Sequence, residues 1–135
     1  MLPVTATTVR LFLHVLAATV WVGGQVTLAG LVPGLRALGE DAPRTVARRF
    51  NRIAWPAFAV LVATGIWNVV AVDVGDTSIE YQITLFVKLV IVAASGISAA
   101  AHIGARSRQA LAFWGALSGL TALAALFLGV MLAAG

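Results

Sequence analysis

Apolar positions fill this chain in four long runs, roughly Val9 to Val32, Ala54 to Val72, Ile83 to Ile103 and Ala110 to Ala134, with short polar stretches between them. Each run is close to the ~20 residues that carry a helix across a hydrocarbon core of about 30 Å. The pattern predicts an all-α fold: an integral membrane, up-down four-helix bundle, with residues 1–135 as one domain. Two of the runs are not uniformly apolar. In RLFLHVLAATVWVGGQVTLAGL, steps of three and four residues put Arg10, His14, Ala17, Ala18, Trp21, Gln25 and Leu28 on one side of a helix. In TLFVKLVIVAASGISAAAH the same spacing aligns Thr84, Lys88, Ser95, Ser98 and His102 opposite an aliphatic face.

The connections have distinct chemistry. PGLRALGEDAPRTVARRFNR contains turn-formers at Pro33, Gly34 and Pro43, then a basic run expected to begin the second helix before it enters lipid. DVGDTSIEYQ is acidic and has no basic residue, and GARSRQ contributes Arg106 and Arg108. Arg36, Arg44, Arg48, Arg49, Arg52, Arg106 and Arg108 thus fall on one side of the membrane, and Arg10 alone borders the other. The positive-inside rule then puts both termini and the acidic loop outside and the arginine-rich loops in the cytoplasm, for a multi-pass protein of the inner (cytoplasmic) membrane. Composition agrees: 61% of residues are hydrophobic and only 10% charged, too apolar for a soluble domain of 135 residues. The net charge of +4 is explained by topology, with no nucleic-acid partner implied. Without cysteine there is no disulfide, thiolate metal site or cysteine nucleophile. The first run is too long for a signal-peptide core and MLPVTATT lacks a basic leader, so the first helix is expected to be retained.

An ionisable group inside a membrane span costs several kcal/mol and usually faces a bundle interior. With a rise of about 1.5 Å per residue, His14 is expected roughly 8 to 10 Å below the outer surface and Lys88 roughly 8 Å below it. Trp67 and Asn68 on the second helix reach a similar depth. His102 is expected roughly 18 to 20 Å deeper than His14, too far for both to ligate one small ion within a subunit. Plainer readings stand beside these. Ser95, Ser98, Ser118 and Thr121 suit close helix packing. Lys88 is placed to snorkel to the headgroups, and His102 to sit at the interface beside Arg106 and Arg108. The tryptophans Trp21, Trp55, Trp67 and Trp114 suit packing or the interfacial belt. Arg48, Arg49 and Arg52 serve topology, or hold an anionic group from one helical face. Gly23, Gly24 and Gly30 read as close-approach positions.

RLFLHVLAATVWVGG, ARRFNRIAWPAFAVLVATGIWNVV and LFVKLVIVAASG, in this order, resemble the four-helix unit shared by the CopD copper-resistance membrane proteins and the HemJ-type protoporphyrinogen oxidases. The resemblance spans most of the first three helices. It implies that His14 matches the helix-one histidine of the HemJ-type enzymes, a ligand of b-type haem, and that Lys88 matches their helix-three lysine. This chain lacks the further histidine those enzymes tend to have after the position of LVPGL, and has the single His102 where they have a histidine pair. It also lacks the periplasmic copper-binding sequence often found in CopD proteins.

Three functions follow as expectations. The first is a haem b-binding membrane protein of redox or haem-pathway type, possible oxidoreductase activity included. His14 is its axial ligand, Arg10 a propionate partner, and Lys88 a second ligand, propionate partner or catalytic proton carrier. Trp67 and Asn68 complete that cofactor-binding set, and electrons pass to a membrane acceptor. The second is copper transport or resistance, with His14 and His102 as metal ligands and Met131 near the outer end of the fourth helix. The third is a structural or assembly subunit whose polar stripes are covered by a partner. A homodimer or other homo-oligomer in the lipid bilayer suits all three.

Overall fold

The computed structural model describes residues 1–135 and contains helices, turns and no strand. Four helices are long and apolar enough to cross a membrane: α1 (Ala6–Leu38), α2 (Ala42–Ala71), α3 (Ile79–Gly104) and α4 (Arg108–Ala134). The predicted all-α class and multi-pass membrane character are those of the structure. The chain divides into two compact units, Met1–Asp73 with α1 and α2, and Val74–Gly135 with α3 and α4.

In the first unit, Thr5 caps α1 by accepting from the Thr8 amide, and the Thr8 hydroxyl returns the contact to the Thr5 backbone. The turn expected at Pro33 and Gly34 is not there: both residues lie inside the helix, which continues to Leu38. Proline lacks only the one N–H it would have contributed, and α1 runs on past it. The chain reverses at Gly39, whose φ of 144° is the one positive value in the protein and suits a residue with no Cβ. Pro43 then occupies the first turn of α2, where a missing N–H costs nothing. As expected, the basic run Arg44 to Arg52 belongs to this helix.

α1 is interrupted by a π-helical turn over Thr19–Gly23. The wider turn inserts an extra residue, so the adjacent Trp21 and Val22 are both buried, at 3% and 7% exposure. Trp21 meets Phe58 with ring centroids 4.4 Å apart and Trp55 edge-on at 5.5 Å, both from α2. On the other side of the bulge, Gly24 lies directly under the Phe50 ring. Of the three glycines expected to permit close approach, only Gly24 has a neighbour where a Cβ would be; Gly23 and Gly30 face open space.

The second unit opens with a 3-10 turn at Val74–Asp76, closed by Gln82, whose side-chain amide donates to the carbonyls of Val74 (3.0 Å) and Thr77 (3.1 Å). Ser78 and Ser107 cap α3 and α4 through their hydroxyls. Between these helices the buried Ser95 and Ser118 exchange hydrogen bonds, each hydroxyl donating to the other's backbone carbonyl at 3.2 and 3.3 Å. Small residues at the contact let the backbones approach closely enough for that exchange. The packing role expected of this pair is the one it has. In both units the outward positions, including Phe12, Val15, Phe86, Leu120 and Phe127, are large and apolar, as contact with lipid demands.

Replacing Gly24 with alanine drives a methyl group into the Phe50 ring and is expected to destabilise the protein by about 1–3 kcal/mol. Gly23→Ala, one residue away, is expected to leave the thermal midpoint in detergent unchanged, because nothing lies within 4 Å of its Cβ position.

Candidate functional site

The histidine of α1 is tied to α2. His14 Nδ1 lies 2.9 Å from Thr64 Oγ1, and the Thr64 oxygen is in turn 2.7 Å from the Val60 carbonyl and 3.2 Å from that of Leu61. A carbonyl can only accept, so at that separation the single hydroxyl proton of Thr64 points back along its own helix. Toward His14 the hydroxyl therefore accepts, and Nδ1 donates. In a neutral imidazole this donation corresponds to the Nδ1–H tautomer, which has its basic lone pair on Nε2. Gly65 follows Thr64, and a Cβ there would stand 3.5 Å from His14 Cε1, in ordinary contact. The ring thus lies over the smallest residue of α2 and is oriented by its neighbour.

One turn toward the N-terminus of α1, the Arg10 guanidinium carbon is 6.0 Å from the centre of the Trp67 ring, at the outer limit of a cation–π contact. Arg10 Nε and the Asn68 side-chain oxygen are each buried with no hydrogen-bond partner. A buried donor and a buried acceptor left open are costly and call for a partner outside the chain's own set. Four of the residues singled out in the sequence, Arg10, His14, Trp67 and Asn68, therefore belong to the first unit, on facing helices.

Lys88 and His102 belong to the second unit. Lys88 reaches across to α4, where its Nζ would be 3.1 Å from a Cβ at Gly129. The absence of a side chain at Gly129 is what makes room for the ammonium. His102 Nδ1 donates to the Leu111 carbonyl at 2.9 Å, and its ring lies against Gly115, 3.0 Å from where a Cβ would be. It joins the ends of α3 and α4 beside the connecting turn. No three His, Cys, Asp or Glu side chains gather as a metal-binding group.

Thr64, Gly65, Gly115 and Gly129 were not marked by sequence reasoning as parts of a site. Thr64 had a signal: it is the only hydroxyl residue between Ala54 and Val72, and a histidine inside a membrane needs such a partner. The glycines had none, since a notch becomes visible only once the opposing side chain is known.

Thr64→Val keeps the shape and removes the acceptor, leaving Nδ1–H unmatched. Hydrogen bonds between membrane helices average about 0.6 kcal/mol and reach about 1.7, so a loss of about 0.5–2 kcal/mol is expected, with Thr64→Ser near wild type. Reversible unfolding of the three proteins in one detergent measures the difference. No protein-family model, curated protein or solved structure matches this chain.

Proposed function

We propose that this multi-pass membrane protein binds haem b through His14 and acts in electron transfer or in the haem pathway, as the resemblance to HemJ-type and CopD proteins implies. The observation that carries the reading is the His14–Thr64 hydrogen bond. Histidine ligands of metals characteristically donate the other ring N–H to an oriented acceptor, which fixes the tautomer and raises ligand basicity. Thr64 is such an acceptor, inside a membrane helix where a histidine with no task is costly.

The residues around His14 fit the group. Arg10 brings a cation with its buried Nε unmatched, one turn away on the same helix, suited to a propionate. Ala17, Ala18 and Gly65 keep the surroundings of the ring small. Bound there, haem supplies one-electron chemistry, while His14 holds it, Thr64 orients His14 and Arg10 neutralises a carboxylate. The arginine distribution supports both termini outside, and the membrane of this reading is the inner (cytoplasmic) one. Partners in this reading are a second copy of the chain and a membrane electron acceptor.

The test is the absorption spectrum of protein purified from haem-supplied cells, oxidised and reduced. A Soret band with reduced α and β bands is expected for wild type and none for His14→Ala. Thr64→Val is expected to retain the bands with haem affinity lowered about ten- to a hundredfold, the usual cost of removing a ligand's own hydrogen-bond partner. A colourless wild type, or bands that survive His14→Ala, overturns the proposal; copper analysis of the same colourless sample then tests the copper reading.

A further inference from the structure

We infer that the face of α2 formed by Thr45, Arg48, Arg49 and Arg52 is a binding site for the phosphate headgroup of an anionic phospholipid. This stands independently of haem at His14. The four side chains, all exposed, line one open surface groove of about 240 Å³ on that face, room enough for a phosphate group to sit among them.

The spacing explains the convergence. Arg48 and Arg52 are one turn apart, Arg49 precedes Arg52 by three residues, and Thr45 lies three and four residues before Arg48 and Arg49, so all share a helical face. Helical side chains lean toward the N-terminus, so Arg48 and Arg49 lean over the turn that bears Thr45, and Arg52 over the turn that bears Arg48 and Arg49. Glu40 and Asp41 lie just ahead of the helix, and neither is among the residues that line this space, which include no carboxylate. The groove offers forked donors and a hydroxyl but no anion. Guanidinium groups match phosphate oxygens two at a time, where an ammonium presents only a point charge.

What selects a lipid over a free anion is how the same face continues into the span. Pro56 lies four residues after Arg52, with Ala59 and Val60 one turn further on, and all three are exposed, Val60 at 41%. A charged face that runs on into exposed apolar surface at the entry to a membrane span matches an amphiphile, headgroup on the arginines and acyl chain along the helix. Basic residues next to a span are attracted to anionic lipid in general. The claim here is narrower: these three arginines act as one site, and Arg36 and Arg44, which do not line the groove, do not contribute to it.

Native mass spectrometry of the full chain, released from nanodiscs of equal parts phosphatidylcholine and phosphatidylglycerol, tests it. Wild type is expected to retain phosphatidylglycerol in preference to phosphatidylcholine. The triple variant Arg48→Gln, Arg49→Gln, Arg52→Gln is expected to lose that retention by about tenfold or more, and Arg36→Gln with Arg44→Gln to keep it. The triple lysine variant preserves charge but not the fork, and is expected to fall between. Should the glutamine triple fail to fold, Arg49→Gln against Arg49→Lys gives the same comparison at one position. Equal loss in the Arg36/Arg44 control, or no preference for the anionic lipid in wild type, overturns the site. Inorganic phosphate added to wild type separates the sources: a lipid adduct that withstands it supports the headgroup, and displacement by phosphate alone overturns the lipid assignment in favour of a soluble anion.

Discussion

Thr64 has one hydroxyl proton, and its direction governs the chemistry of the first unit. The Val60 carbonyl, 2.7 Å away, takes that proton, so Thr64 can only accept from His14. The bond itself is worth little as glue, about 0.6 kcal/mol on average for its kind. Its weight lies in orientation. A histidine whose Nδ1 is committed has its tautomer chosen, its ring plane set and its basic nitrogen defined. The packing beneath supports that choice: Trp21 against Trp55 and Phe58, and Gly24 under Phe50, hold α1 and α2 together on the other side of a π-helical turn.

A second constraint recurs in both units. His14 lies over Gly65, Lys88 over Gly129 and His102 over Gly115. Polar side chains in the apolar part of a membrane helix have to lie against a neighbouring helix, away from lipid, and the glycine opposite provides the space at Gly115 and Gly129, while at Gly65 a Cβ would be in ordinary contact with the ring. Where the ring also has an acceptor within reach, at Thr64 or at the Leu111 carbonyl, its polarity is satisfied without water. Arg10 differs: it lies beside Trp67 and keeps a buried N–H unmatched.

The helices were legible because length and hydropathy decide them, and the contact of Ser95 with Ser118 followed from the rules for membrane packing; of the glycine contacts only that at Gly24 did. The end of α1 was not legible. Pro33 and Gly34 look like a turn in sequence, yet one missing hydrogen bond is not enough to stop a long apolar helix, and Gly39 with its positive φ does so instead. The π-helical turn leaves no clear mark in TVWVG, since it arises from how Trp21 and Val22 are accommodated in the packing. His14 and Arg10 could be selected as unusual residues at unusual depth. Thr64 required the pairing of α1 with α2 before its hydroxyl acquired a meaning.

The most direct test of the account is the nitrogen NMR spectrum of ring-labelled His14 in lipid bilayers, in protein prepared without haem and with His102→Gln to leave one histidine signal. Thr64 as acceptor requires a protonated Nδ1, which in the neutral ring leaves the lone pair on Nε2. A spectrum with the proton on Nε2 would contradict it, and with it the reason for assigning His14 the part of an oriented ligand.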